Sequence, residues 1–345
     1  MMLYFSENVP YFPTADNRGL ELIILLNVSR SILSLLCFAK ASYHFPTLVN
    51  LLQAYDQQKS VLLCKTQLNK SLKCLVLTVV PIFSSFCLFF LFASLSGYIV
   101  SEILVPTQKN SFMGLACEIF FGFLSMWHIF PMSLYVYFSW IIISNFSQLN
   151  QVFENLLFRK NEFVDHYKHN PDCETFSHYR YLHNLLTECV LFLGKTFGMF
   201  LVIEFAAVIV LVVVTVAVYL IDGEKNEEIL ILCGYTVCIG LIVLVSSEKL
   251  KSSGNEIVNI LHRMPTKSIS EECLKELQTF MIQIHVRPVE ISASGYFTLD
   301  KRQILSIITQ VSTYLIVVCQ LVQSYYQYNN QQNSNSTHII NMNVN

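Results

Sequence analysis

The apolar positions of this chain fall into long runs rather than into the alternating pattern of amphipathic strands. A bilayer core takes roughly 20 apolar helical residues to cross. Five runs are of that length, at residues 74–100, 115–143, 190–221, 229–247 and 304–323. A sixth run, at residues 20–39, is apolar but contains Glu21, Asn27 and Arg30. The pattern therefore predicts an all-α, polytopic helical membrane protein in which six spans are readable.

The composition supports the membrane class. Of the 345 residues, 53% are hydrophobic and only 13% are charged, whereas soluble domains average roughly 25% charged residues. So few charges cannot cover the surface of a water-soluble protein of this length. The net charge of −2 also argues against a nucleic-acid partner, because phosphate binding requires a concentrated basic surface. The lipid bilayer is the expected environment.

The distribution of Lys and Arg predicts which loops face the cytoplasm, because cytoplasmic loops accumulate these residues. Of the 22 Lys and Arg residues, 17 lie in segments 40–73, 144–189 and 248–303. These segments are predicted to be cytoplasmic, which places both termini outside a multi-pass protein of the plasma membrane. Residues 303–345 contain no Asp, Glu, Lys or Arg, and Asn335 begins an N-x-T sequon. A rhodopsin-like G-protein-coupled receptor requires the opposite orientation of the C-terminus.

Two of the cytoplasmic segments contain apolar stripes at helical spacing. The first consists of Leu149, Val152, Phe153, Leu156 and Leu157, and the second of Leu274, Leu277, Phe280, Met281 and Ile284. Ser268, with Glu271 three residues later, is a possible capping box at the start of the second helix. These helices either continue below the membrane and bundle there, or lie flat on the bilayer surface.

Catalytic chemistry is not indicated. The sequence contains no glycine-rich phosphate loop, no GxSxG elbow and no nucleophile paired with a base. Segment 144–189 contains four His residues whose spacing matches no metal-binding motif, so a solvated loop is their expected role; they are His166, His169, His178 and His183. The eleven Cys residues include no CxxC pair and are interpreted as reduced core residues. We expect no enzymatic activity, no metal and no cofactor.

Three ionisable residues lie inside predicted spans, where a charge is costly and needs an explanation. They are Glu118, His128 and Glu204. Ligand contact, lining of an ion path and pairing with a neighbouring helix would each explain them. Trp127 follows an aromatic stripe that could line a pocket or serve in ordinary packing, made of Phe120, Phe121 and Phe123.

The last predicted span has a polar stripe. Its members recur at steps of three and four residues, which places them on one helical face. They are Ser306, Gln310, Thr313, Val317, Gln320 and Ser324. Such a stripe needs water or other polar groups. It lines an uncharged aqueous path if several copies of the helix surround an axis. The alternative is hydrogen bonding between helices inside one subunit.

Residues 280–321 also contain a recognisable motif. Its positions are Gln283, Ile284, Pro288, Ser292, Ala293, Gly295, Phe297, Leu299, Asp300, Thr313, Tyr314 and Gln320. This run closely resembles the C-terminal signature of insect gustatory receptors. Weaker similarity extends to residues 45–56 and to Leu149 and Asn150.

The resemblance implies a ligand-gated, non-selective cation channel that is opened by a small-molecule tastant. It implies a homo- or heterotetramer with other gustatory receptors, in which cytoplasmic helix extensions form an anchor between subunits. The final helix would line the pore, with Gln310, Thr313, Val317 and Gln320 facing its axis. The ligand pocket would open outward within each subunit, and the candidate ligand-binding residues are Phe92, Tyr98, Glu118, Phe121, Trp127 and Tyr235.

The sequence departs from the family pattern in its motif and in its spans. Leu321 follows Gln320 where the family usually has Phe, and Leu315 occupies a position that is commonly acidic in members resembling sugar receptors. A bitter or other non-volatile compound is therefore expected rather than a classical sugar. The family has seven spans with a cytoplasmic N-terminus, so the first span is expected to be absent if residues 20–39 correspond to the second.

The expected organisation has four parts. Residues 1–247 form a transmembrane ligand-binding bundle with helical cytoplasmic loops at 40–73 and 144–189; residues 248–303 form a cytoplasmic anchor-type segment, 304–324 the pore-lining span and 325–345 an extracellular tail. Two other functions stay open. The ionisable residues within spans allow a secondary transporter of a small solute, and a missing span allows a non-conducting, truncated receptor.

Overall fold

The computed structural model describes residues 18–62, 129–158, 173–222, 227–263 and 270–342, and most of them are α-helical. Numbered in chain order within these ranges, the helices are α1 (Arg18–Ala41), α2 (Phe45–Leu62), α3 (Ile129–Phe158), α4 (Cys173–Asp222), α5 (Glu227–His262), α6 (Glu271–Val286) and α7 (Lys301–Met342). Strands β1 (Ser292–Ala293) and β2 (Phe297–Thr298) form an antiparallel hairpin between α6 and α7. The expected all-α class is confirmed, with this small hairpin added.

Helix α4 is the centre of the described bundle, because it contacts α1, α2, α3, α5, α6, β1 and α7. It has 50 residues, which corresponds to a length of about 75 Å. A bilayer's hydrocarbon core is only about 30 Å thick. Since the apolar run at 190–221 occupies the C-terminal part of α4, the preceding residues of the helix, 173–189, extend beyond the membrane.

The helices agree with the apolar runs of the sequence. The predicted spans at 20–39, 190–221, 229–247 and 304–323 lie within α1, α4, α5 and α7 respectively. Among the described residues, α4 and α7 are each long and apolar enough to cross a membrane. Helices α1 and α2 meet at a bend of 54° and would provide a third span if they cross as a pair. The span at 74–100 and residues 115–128 of the next one lie outside the described residues.

The two apolar stripes that were predicted to be cytoplasmic are helical and pack into one bundle. The first lies in α3 and the second in α6. Phe153 of α3 and Phe280 of α6 are both buried, and their ring centroids are 6.4 Å apart. Phe176 at the start of α4 packs on the same Phe153 ring at 5.9 Å. These helices therefore bury their apolar faces against one another and not on a bilayer surface.

Two helix ends differ from the prediction. The N-cap of α6 is Ser270, whose hydroxyl accepts a hydrogen bond from the Cys273 backbone N at 3.4 Å. The capping box predicted at Ser268, which lies outside the described residues, is therefore wrong. Helix α7 continues to Met342, so most of the predicted tail at 325–345 is helical.

The prediction of a solvated loop is wrong for His183. This residue is 2% exposed and lies in α4, with its ring centroid 5.3 Å from those of Phe146 and Phe280. Its Nε2 atom is 3.0 Å from the backbone oxygen of Gly254 in α5. Segment 144–189 is polar, and its polarity suggested a loop. In the structure, α4 begins at Cys173, well before its apolar run, so the polar residues from there onward are helical. His178 is also in α4, and His166 and His169 lie outside the described residues.

The prediction that the Cys residues are reduced is wrong for one bonded pair, and the prediction that they lie in the core is wrong for two free residues. Cys173 and Cys273 are joined by a disulfide. Cys238 and Cys319 are exposed in the single subunit, whereas Cys189 is free and buried. The bonded pair is 100 positions apart in sequence, so no local motif could reveal it.

Candidate functional site

The final helix, α7, contacts its own subunit along one narrow face. Half-buried residues recur on it at steps of three and four, at Ile304, Ile307, Val311, Leu315, Val318 and Val322. This spacing defines a single helical face. Every other position from Leu305 to Ser324 is exposed. Helix α7 is therefore a membrane-length apolar helix that the described part of its subunit leaves largely uncovered.

The polar stripe of α7 faces away from that contact. The four residues predicted to face a pore, Gln310, Thr313, Val317 and Gln320, are all exposed. Because each residue turns an α-helix by about 100°, their centre lies roughly 140° around the helix from the half-buried face. The Thr313 hydroxyl donates to the Thr309 backbone oxygen at 2.8 Å, inside α7 itself. In the described part of the chain, no hydrogen bond joins the stripe to another helix of the subunit.

Residues 287–300, which we call the connector, join α6 to α7 and contain the β-hairpin. Its turn is closed by a hydrogen bond from the Tyr296 backbone N to the Ala293 oxygen at 3.0 Å. The two central residues, Ser294 and Gly295, have φ angles of 52° and 84°. Glycine adopts such positive angles without steric cost. The glycine of the signature motif therefore has a conformational role in this turn.

The hairpin rests in a glycine notch on α4. A Cβ atom added to Gly198 would lie 2.6 Å from the Ser294 backbone N, and one added to Gly194 would lie 3.1 Å from the Ser292 backbone oxygen. The two glycines are four residues apart and lie on one face of α4. Small residues at this spacing let backbones approach closely. The connector and α4 are therefore in contact at the level of their backbones.

Helix α5 holds the connector from a second side. The Asn255 side chain donates through Nδ2 to the Val289 backbone oxygen at 3.0 Å, and its Oδ1 accepts from the Val289 backbone N at 3.2 Å. Val289 is completely buried, and buried backbone groups need such partners. A Cβ atom added to Gly254 would lie 2.5 Å from Val289 Cγ1. Sequence reasoning singled out neither residue of α5, because one Asn and one Gly carry no recognisable motif.

The junction between the connector and α7 is electrostatic. The Asp300 Oδ1 atom accepts a hydrogen bond from the Arg302 backbone N at 2.9 Å, which places a carboxylate at the positive end of α7. Its Oδ2 atom is 3.4 Å from Lys251 Nζ. Glu248 accepts from the Lys301 backbone N at 3.2 Å and pairs with its Nζ at 3.4 Å. Two ion pairs therefore tie Asp300 and Lys301, at the start of α7, to Lys251 and Glu248 in the second half of α5.

A buried ion pair joins α1 to α4 within the predicted spans. The Arg30 Nε atom donates to Glu204 Oε2 at 2.7 Å, its NH2 group pairs with the same oxygen, and the Ser34 hydroxyl donates to Oε1. The Arg30 and Glu204 side chains are 4% and 0% exposed. Of the three roles open for Glu204, the structure shows pairing with a neighbouring helix. Both charges therefore compensate each other where water is excluded.

The predicted ligand-binding residues are not brought together by the described part of the structure. Phe92, Tyr98, Glu118, Phe121 and Trp127 lie outside the described residues, as does His128. Tyr235 belongs to α5, but its side chain also lies outside the described part.

Comparisons with known proteins match this architecture. Among solved structures, the chain is similar to the insect olfactory receptor OR5 from Machilis hrabei, with a TM-score of 0.65 and 13% identity over 90% of this chain and 83% of that one. The complex of the same receptor with eugenol matches with a TM-score of 0.65, 12% identity and the same coverage. A search of curated protein sequences gives no match. At such low identities the structural likeness shows the fold alone. The model of the 7tm chemosensory receptor family matches residues 24–325, and the chain therefore belongs to that family.

Proposed function

We propose that this chain is a gustatory receptor subunit that acts as a ligand-gated, non-selective cation channel. A small organic tastant opens it, and a bitter or other non-volatile compound is favoured over a classical sugar. The observation that carries the proposal is the final helix, whose polar stripe is exposed and directed away from its own subunit. The channel is a homo- or heterotetramer with other gustatory receptors in the plasma membrane.

The physical argument for a pore starts from the cost of exposing polar groups to lipid. Amide and hydroxyl groups such as those of Gln310, Thr313 and Gln320 lose their hydrogen bonds in hydrocarbon. If four copies of α7 surround an axis, these groups face water in the middle and the apolar sides face lipid or other subunits. Neutral dipoles can replace part of an ion's hydration without binding one ion tightly. A non-selective cation path is the expected result.

The connector supplies a route from the ligand-binding bundle to the pore. It rests directly on α4 at Gly198 and is bonded to α5 at Asn255. A tastant that binds more tightly to one arrangement of the bundle shifts the equilibrium by that difference in affinity. A displacement of α4 or α5 then moves the start of α7. The cytoplasmic bundle of α3, α4 and α6 serves as the anchor between subunits.

The taste assignment rests on the motif and not on the fold. The positions of the gustatory signature build the connector: Gly295 forms its turn, Leu299 is buried and Asp300 caps α7. The olfactory receptor of similar fold has been captured with eugenol, which supports a small organic ligand for such a bundle. Leu315 and Leu321, at the two positions that differ from the family pattern, favour a ligand other than a sugar.

The pore assignment is tested by Gln320→Leu. We expect tastant-evoked cation currents whose unitary conductance or ion selectivity changes, while the amount of receptor at the cell surface stays the same. Cys319→Ala is the matched control, because Cys319 is the adjacent exposed residue on another face of α7. The assay is patch-clamp recording against a panel of bitter compounds and sugars, with the chain alone and with related receptors. If the wild type and Gln320→Leu have the same unitary conductance and ion selectivity, Gln320 does not line the pore.

The orientation is tested separately at the sequon. Asn335→Gln should abolish a glycosidase-sensitive increase in mass if the C-terminus is outside the cell. A C-terminal epitope tag should then be accessible to antibody without permeabilisation. A tag that is detected only after permeabilisation would contradict the proposed orientation, whatever the channel recordings show.

A further inference from the structure

A disulfide joins the two cytoplasmic helices that precede the connector and the pore helix. Cys173 is the first residue of α4, and Cys273 lies in the first turn of α6. Their Cα atoms are 4.9 Å apart, within the range of about 4.4–6.8 Å that a disulfide spans without backbone movement. The backbone positions of these helices therefore suit a disulfide. Cys173 is half-buried, whereas Cys273 is only 4% exposed.

The location of this bond is chemically unusual. Both cysteines belong to Lys- and Arg-rich segments, 144–189 and 248–303, which the orientation proposed above places in the cytoplasm. The cytosol keeps thiols reduced, and disulfides that do form there are usually transient and redox-sensing. A cytosolic pair already positioned for bonding is thus one that forms and breaks with the redox conditions of the cell.

The bond closes one end of a parallel ladder between α4 and α6. The other rungs are Arg180–Glu276 at 2.9 Å, Asn184–Gln283 at 3.0 Å and Glu188–Arg287 at 3.0 Å. These rungs are partly exposed, and exposed polar pairs hold helices together only weakly. The cysteines lie at the end remote from the connector. Apart from the bond, the contacts described at the N-terminal end of α6 are apolar packing and weak polar pairs.

We propose that Cys173 and Cys273 form a reversible oxidation site that locks α6 to α4. The oxidant is hydrogen peroxide, which first reaches the more exposed Cys173. The Cys173 thiolate attacks one peroxide oxygen, the O–O bond breaks, and a sulfenic acid and a hydroxide are formed. The hydroxide takes up the proton that the thiol had lost and becomes water. The Cys273 thiol then attacks that sulfur and releases a second water. In total two thiols lose two electrons and two protons to the peroxide.

Reduction reverses the modification. Two molecules of a low-molecular-weight thiol such as glutathione restore both cysteines and leave as their own disulfide. The covalent state limits how far α6 can move relative to α4. Because α6 leads through the connector into α7, the oxidised subunit has a stiffer support beneath its pore helix. This inference depends on the cytoplasmic orientation in the proposed function but not on the identity of the tastant.

The test is differential alkylation of the full chain in cells before and after a pulse of hydrogen peroxide. Free thiols are blocked with one maleimide, the disulfides are reduced, and the new thiols are labelled with an isotopically heavy maleimide for mass spectrometry. We expect Cys173 and Cys273 to gain the heavy label in parallel, at least fivefold, and to lose it during recovery. Cys189, a free and buried residue of the same helix, is the internal control and should not change.

Several outcomes would overturn the inference. They are no gain of heavy label, a bond already complete in resting cells, and oxidation of Cys273 that persists in Cys173→Ser. A membrane-impermeant maleimide added to intact, mildly reduced cells distinguishes an error in the orientation from an error in the oxidation site. Labelling of Cys173 or Cys273 from outside would contradict the cytoplasmic orientation. If neither residue is labelled from outside and neither responds to peroxide, the oxidation site alone is contradicted.

The structural consequence is measured on the purified full chain. The melting temperature of the oxidised wild type should be several degrees higher than that of the reduced wild type, because the bond closes a long loop. Cys273→Ser should melt at the same temperature with and without peroxide. Equal melting temperatures for the two wild-type forms would show that the bond does not lock the helices.

Discussion

The notch on α4 offers a test of how the connector is held. Gly198→Ala would place a methyl carbon 2.6 Å from the Ser294 backbone N and 2.8 Å from its Oγ. Real Cβ atoms do not approach a neighbour closer than about 3.0 Å, and the obstructing N atom is backbone that cannot rotate away. Either the hairpin or α4 must shift. Overpacking of this kind costs about 1–3 kcal/mol.

A matched substitution isolates that cost. Replacing Gly by Ala in a helix interior stabilises by about 1 kcal/mol when space is available, which partly hides the steric effect at Gly198. Gly234 in α5 is exposed, and a Cβ atom added there meets nothing within 4 Å. Gly234→Ala should therefore show the helix effect alone. The difference in stability between the two variants, about 1–3 kcal/mol, is the cost of displacing the connector.

The assay is thermal unfolding of both full-length variants in detergent, followed by fluorescence-detected gel filtration. We expect Gly198→Ala to melt several degrees below Gly234→Ala, which should be at or slightly above the wild type. In recordings, Gly198→Ala should also shift the ligand concentration for half-maximal current, since the connector contacts α4 and leads into α7, the proposed pore helix. A Gly198→Ala variant as stable as Gly234→Ala would refute the close packing of the hairpin on α4.

Three further outcomes are expected from the same thermal assay. Asn255→Ala leaves the buried N–H and C=O of Val289 without partners and should cost about 1–3 kcal/mol, whereas Ala at the exposed Asn259 should be neutral. Glu204→Ala leaves Arg30 as an unpaired buried charge and should cost about 3–5 kcal/mol, and the double variant with Arg30→Met should recover most of it; no recovery would contradict the pairing. Ser270→Ala removes the cap of α6 and should cost about 1 kcal/mol, while an equal loss from Ser268→Ala would restore the capping box predicted from sequence.

The apolar runs and helical stripes were readable from the sequence because they depend on local periodicity. The stripe from Leu274 to Ile284 predicted α6 and its buried side, and Leu277, Phe280 and Ile284 are buried as expected. The polar stripe of α7 could likewise be assigned to one face. Its exposure could not be predicted, because that depends on which face of α7 meets the rest of the subunit.

The missed features all involve partners far apart in the chain. Gly194 and Gly198 have a spacing that is typical of close helix contacts, so a close contact on this face of α4 was predictable. The sequence did not indicate that the contact is made by a hairpin. Asn255 and His183 carried no signal, since one polar residue looks the same on a solvated helix as in a buried contact. The disulfide of Cys173 and Cys273 joins residues 100 positions apart.

By itself the sequence determined the helical membrane class, the positions of the apolar runs, the stripe on the last helix and the resemblance of its C-terminal motif to taste receptors. These features follow from hydropathy, helical periodicity and short-range motifs, which neighbouring residues in the chain define. Only the tertiary structure decided that Glu204 pairs with Arg30, that the connector is held between α4 and α5, and that the polar side of α7 turns away from its own subunit. Those features depend on which helix faces meet, and this is settled by packing across the whole bundle.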